Sequence, residues 1–196
     1  MSKTMAFSCL IRNVFSILPL LVILSITPAS SSLLSLSPND KIRKDLVNQL
    51  CSQPTISKQF CLAWLTSFPN TFTLDMQGLV NMVYQQTERL GYKNLEMIKG
   101  LDRTENYSKL KKYYRSCVKE YELSNKAIEE AKGFASSKAY RSASEAAARA
   151  FDSISMCEAY LEGSKTPGYV TTRNWWFERM CDIDKIFTDL LISAKF

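Results

Sequence analysis

The sequence predicts an all-α protein: an antiparallel four-helix bundle with an N-terminal helical hairpin and two disulfides. Three observations carry this. Only six glycines and six prolines punctuate 196 residues, which favours long helices over a many-turned β fold. Apolar residues recur at alternating three- and four-residue spacing, the seam of helices packed at shallow angles. The cysteines stand where such helices would bring them together.

The chain opens with a targeting segment. Lys3 and Arg12 precede Val14–Ile26, VFSILPLLVILSI, thirteen uncharged residues followed by the small residues TPASSS. This is the pattern of a secretory signal peptide over 1–32, cleaved near 29–32, and it is too short to span a bilayer comfortably. The mature domain is then 33–196, with the hairpin at 39–68 and the bundle at 74–194. Loss of Lys3 and Arg12 lowers the net charge from +6 to +4, which suits an acidic partner better than nucleic acid. No membrane contact is expected after cleavage.

Within the hairpin, Ser37-Pro38-Asn39-Asp40 reads as a helix start, followed by Ile42, Leu46 and Leu50. A second short helix runs from about Ile56 to Phe68, and the pair is expected outside the main body. The first long helix spans about Leu74 to Leu101, with Leu79, Val83, Gln86, Leu90, Met97 and Leu101 inward and a kink at Gly91. The second carries Tyr107, Leu110, Tyr114, Cys117, Tyr121, Ser124, Ile128 and Ala131. The third carries Tyr140, Ala143, Ala147, Ala150, Ile154, Cys157 and Leu161. After a loop at 163–172, the fourth runs from about Asn174 to Ala194, with Met180, Ile183, Phe187 and Leu190 inward.

In an exported chain the cysteines read as a disulfide framework. Cys9 leaves with the leader, so Cys51, Cys61, Cys117, Cys157 and Cys181 remain. Cys117 and Cys157 lie about equally far from a turn near Ser136-Ser137, which puts them level on antiparallel helices. Cys51 and Cys61 flank the Pro54 turn. Of the three connectivities open to these four, geometry favours Cys51–Cys61 with Cys117–Cys157. Cys181, one step off its stripe, is expected as a half-buried free thiol, with intermolecular pairing as the alternative.

Histidine is absent, which removes the commonest general base and metal ligand. A Ser-His-Asp triad cannot be assembled, and neither catalytic nor metal-binding residues are assigned. Glu145 with Glu158, or Asp182 with Asp184, shows no spacing that suggests a glycosidase pair. Lys111, Lys112, Arg115 and Lys119 form a basic run on the second long helix, readable as a target contact or as a solvated face. Asn106-Tyr107-Ser108 is a glycosylation sequon in an exposed link. Trp175-Trp176 is expected to pack in the core against the loop, with a sugar-stacking platform as the alternative.

Four stretches resemble the plant invertase and pectin methylesterase inhibitors. They are LVNQLCSQPTISKQFCLAWLTSFP, KLKKYYRSCVKEYELSNKAIEEAK, SKAYRSASEAAARAFDSISMCEAYLEG and VTTRN, together spanning roughly Ile42 to Leu191. Tyr121 after the third mature cysteine and Cys157-Glu158 at the fourth add to the likeness. The resemblance implies a hairpin-bearing bundle, first-to-second and third-to-fourth cysteine pairing, and an unpaired fifth cysteine corresponding to Cys181. It implies no cofactor, and a complex with a cell-wall pectin methylesterase or an acid invertase that blocks the substrate cleft. Some invertase inhibitors share a Pro-Lys-Phe motif before the third bundle helix. Here that region reads AKGFASSKAY, with Lys138 but no proline, which favours the pectin methylesterase branch. Export to the apoplast and cell wall is expected, with the vacuole as the alternative. A secreted helical binding protein without inhibitory activity is the competing class.

Overall fold

The computed structural model describes residues 36–193; the predicted signal segment lies outside the described residues. Among them are six α-helices: α1 (Lys44–Leu50), α2 (Lys58–Thr66), α3 (Met76–Thr104), α4 (Ser108–Ser136), α5 (Tyr140–Leu161) and α6 (Gly168–Ser193). The four long helices pack in a ring, each on its sequence neighbour, and α3 closes on α6. Short connections force adjacent helices antiparallel, which yields the four-helix bundle.

Ser37-Pro38-Asn39-Asp40 does not start a helix. It is a turn closed by Asp40 N–H to the Ser37 carbonyl (3.0 Å), and α1 begins only at Lys44. The segment serves α3 instead. Met76 N–H donates to the Asp40 carbonyl and Gln77 N–H to the Pro38 carbonyl, each at 2.9 Å. Asp75 Oδ1 accepts from Gly78 N–H at 2.8 Å. Three amides that a helix start leaves without partners are thus satisfied.

The hairpin is part of the core, not an appendage. Leu46, Val47, Leu50, Cys51, Cys61 and Leu65 share one apolar cluster with Leu79, Val83, Ala135, Ala147 and Phe187 of the long helices. A second cluster fills the other end with Ile98, Tyr114, Tyr121, Ile154, Phe177 and Cys181. Each cluster holds one disulfide. Cys51 joins Cys61, and Cys117 joins Cys157 with Cα atoms 4.6 Å apart. Small residues Ala143, Ala146, Ala147 and Ala150 are fully buried on α5, so neighbouring backbones can approach closely.

Two stripes differ from their sequence reading. On α3 the inward residues after Val83 are Tyr84, Thr87, Gly91, Asn94, Leu95 and Ile98, so that Gln86, Leu90 and Met97 each fall one position short of a buried one; Leu101 is also only half-buried. α3 continues unbroken through Gly91. A Cβ there would stand 2.1 Å from Asn125 Oδ1 and 2.8 Å from Phe177 Cε2, so glycine permits a close crossing rather than a kink. α6 begins at Gly168, about six residues earlier than read, directly after Pro167, whose carbonyl accepts from Val170 N–H. Its inward set is Met180, Ile183, Phe187 and Leu191, with Leu190 half-buried. Tyr107 is 64% exposed and precedes α4.

Candidate target-binding surface

The outer faces of a helical bundle present its chemistry as stripes of side chains and as grooves between helices. On α4, Lys112, Arg115 and Lys119 fall at three- and four-residue spacing and are exposed, forming one stripe that continues to Leu123 and Lys126. Two members of the predicted basic run are used within the fold. Lys111, half-buried, donates to the Glu105 carbonyl at 3.2 Å, and Arg115 lies 3.6 Å from Asp102. Lys112 and Lys119 form no ion pair among the described residues.

Asn106 is exposed in the link between α3 and α4, beside the stripe's first turn. At the opposite end, the α4–α5 turn rests on Ser137. Its N–H donates to the Gly133 carbonyl (3.2 Å) and its hydroxyl to the Phe134 carbonyl (3.0 Å). Lys138 then takes a φ of +61°, a left-handed value uncommon outside glycine. A proline at 137 would supply neither donor.

The acidic residues do not converge on a reaction centre. Asp184 is buried on α6, and no group donates to either carboxyl oxygen among the described residues. Burial pushes its proton affinity well up; Thr87 faces it, but the Thr87 hydroxyl proton goes to the Val83 carbonyl. Asp182 is half-buried and also raised by burial, against the opposing pull of Arg179 and Lys185. Glu158 is brought against Glu178, not Glu145. Burial first, and the Glu158 charge second, push Glu178 up to about 7, while Ser155 donates to it at 3.1 Å. Among the described residues no group of histidine, cysteine or acidic side chains could hold a metal ion.

Cys181 is fully buried rather than half-buried, and burial pushes its thiol well up. A thiol so placed is neither nucleophilic nor within reach of a second chain. Trp175 and Trp176 are not core residues. They are 41% and 46% exposed on the second turn of α6, because Asn174 and Phe177 take the inward positions on either side. Trp176 lines a groove with Trp64 and Arg89 that sequence reasoning missed. The available signal was the paired indoles beside Asn174, which could not both follow an inward stripe.

The profile of the family described as "Plant invertase/pectin methylesterase inhibitor" matches residues 45–184. An Actinidia deliciosa protein named "Pectinesterase inhibitor" is 30% identical over 192 residues, covering 97% of this chain and all of the relative. A Platanus orientalis protein named for invertase inhibition is 28% identical over 160 residues, covering 76% of this chain and 92% of the relative. The crystal structure of a pectin methylesterase inhibitor from Arabidopsis thaliana shares the fold, with a TM-score of 0.59 at 21% identity over 76% of this chain and 98% of that one. The chain therefore belongs to the plant invertase/pectin methylesterase inhibitor family, helical proteins that act on an enzyme as inhibitors and are not themselves catalysts.

Proposed function

We propose that this chain is an exported inhibitor of a pectin methylesterase that forms a one-to-one complex and covers the substrate cleft with a rigid helical face. The observation that carries the reading is the 30% identity to the Actinidia deliciosa pectinesterase inhibitor along that relative's whole length. The α4–α5 turn supports the same branch, because it uses the Ser137 N–H and hydroxyl where a Pro-Lys-Phe motif would have proline. Rigidity fits the role. Helices fixed by two disulfides lose little conformational entropy on docking, so more of the contact energy remains as affinity. An interface of about 1,200–2,000 Å² in total is expected.

The α4 stripe is the proposed contact, with Lys112 and Lys119 as its unpaired cations. Charge at an interface edge acts mainly on the association rate and its salt dependence. Removal of the leader near 29–32 would release the mature chain to the cell wall, and Asn106 would carry a glycan. Mass measurement of the secreted protein before and after glycosidase treatment reads both.

Parallel titrations of a pectin methylesterase and an acid invertase test the reading. Stoichiometric loss of esterase activity with an unaffected invertase is expected. Inhibition of the invertase alone would transfer the chain to the second reading, which the Platanus orientalis relative favours. Lys112→Glu with Lys119→Glu is expected to weaken inhibition roughly tenfold at low salt, with an unchanged melting temperature. An undiminished association rate would remove the stripe from the contact.

A further inference from the structure

A groove of about 490 Å³ runs where α2, α3 and α6 meet, lined by Phe60, Trp64, Gln86, Arg89, Lys93 and Trp176. The sequence holds three tryptophans, and all stand here. Trp64 and Trp176 line the groove, and Trp175 packs edge-on against Phe60 with ring centroids 5.4 Å apart. Arg89 and Lys93 lie one turn apart on α3 and share a face. Both are exposed, and neither has an acidic partner among the described residues. No carboxylate lines the groove.

These features narrow the ligand. Exposed indoles alone would suit any apolar partner. Two cations without a counter-charge select an anion, and burying them under a lipid tail would cost their hydration without return. An acidic side chain would match the charge, but it offers no flat apolar face to the indoles. A ring with an apolar C–H face, hydroxyls at its rim and a carboxylate on successive units meets all three. The ring stacks on Trp64 or Trp176, the carboxylates pair with Arg89 and Lys93, and Gln86 serves a hydroxyl. We infer that this groove is a binding site for an acidic oligosaccharide, a chain of uronic acid sugars. The site shares no residue with the α4 stripe and stands whether the enzyme target is an esterase or an invertase.

Titration of the mature protein with hexagalacturonate tests this, read by tryptophan fluorescence and by calorimetry. Saturable binding is expected, with the fully methyl-esterified hexamer and a neutral hexasaccharide each roughly tenfold or more weaker. Trp176→Ala, and Arg89→Gln with Lys93→Gln, should each weaken binding roughly tenfold while the melting temperature stays unchanged, since all three side chains are exposed. Lys112→Gln with Lys119→Gln should leave it unchanged. Absence of saturable binding overturns the inference. So does equal affinity for the esterified hexamer, or for the Arg89→Gln, Lys93→Gln protein. Loss of enzyme inhibition in the groove variants without any saccharide binding would assign the groove to the protein target and overturn it as well.

Discussion

Along the α4–α5 seam the inward residues are Tyr114, Cys117, Ile128 and Ala131 facing Ala143, Ala147, Ile154 and Cys157, all but fully buried. Across the bundle, α3 and α6 bury Thr87, Gly91, Asn94, Asn174, Asp184 and Thr188 among apolar residues such as Val83, Ile98, Phe177 and Phe187. The first seam is tied mainly by a disulfide and apolar contact, with one buried side-chain hydrogen bond, Ser124 Oγ donating to the Ala150 carbonyl at 2.9 Å. The second is tied by directional bonds. Asn94 Nδ2 donates to the Arg173 carbonyl and Arg173 returns a bond to Asn94 Oδ1, both at 3.2 Å. Between α3 and α6 the Tyr84 hydroxyl also meets Thr188 Oγ1 at 3.0 Å, and from α4 Tyr121 donates to Asn174 Oδ1 at 2.5 Å. Buried polar pairs add little net stability, yet an unmatched one is costly, so the α3–α6 face fixes the register of the helices. The apolar seam supplies cohesion, and the polar face supplies uniqueness.

The largest effect should come from cutting the apolar seam. The Cys117–Cys157 bond closes a separation of 40 residues, and Cys117→Ala with Cys157→Ala should cost about 4 kcal/mol on the chain-entropy model. The Cys51–Cys61 bond closes only 10 and should cost about 3 kcal/mol when removed. Urea unfolding midpoints compare the two. A larger loss at the hairpin would place the controlling constraint in the first cluster rather than in the seam.

The two regions also differ in how far their sequence discloses them. On α5, and on α4 beyond Tyr107, alternating spacing identifies the inward residues, because the stripes are mostly apolar and Ser124, the polar member, keeps the same spacing. On α3 the same reasoning follows Leu90 and Met97, the bulky residues, and lands one position off. Those side chains cover the edge of the core, while Thr87, Gly91 and Asn94 go inside to meet Asp184, Asn125 and the α6 backbone. Periodicity cannot see a polar residue whose partner is far along the chain. The Trp64–Trp176 groove is hidden for a related reason, since it joins residues of three helices that are separate in the chain. The basic stripe on α4 is legible because it is local to one helix.

Asp184 sharpens the contrast through pH. Its folded-state proton affinity is raised above the unfolded value by burial, so the folded form holds a proton that the unfolded form releases above roughly pH 4. The contribution of Asp184 to stability is therefore fully present in acid and is lost as pH rises above the unfolded value. Glu178, pushed up to about 7 by burial and then by Glu158, acts in the same direction, with its share lost between roughly pH 4 and 7. Thermal melting should show a declining midpoint across this range. Asp184→Asn should raise stability at neutral pH by about 1–3 kcal/mol and change it less in acid. A pH-independent gain would mean that shape, not charge, dominates there.

The smallest effects isolate packing within one helix. Gly91 and Gly100 both lie in the interior of α3, where helix propensity alone favours alanine by about 1 kcal/mol. Nothing lies within 4 Å of a Cβ added at Gly100, so Gly100→Ala should gain about 0.5–1 kcal/mol. At Gly91 the same methyl must displace Asn125, which is buried with neither amide atom paired, and the Phe177 ring. Crowding of that kind costs about 1–3 kcal/mol, enough to cancel or reverse the propensity gain. The difference between the two variants, read from chemical denaturation, measures the close crossing of α3 with α4 and α6 apart from any change in helix preference. Equal gains at both positions would show that the polar face tolerates a wider spacing than its hydrogen bonds imply.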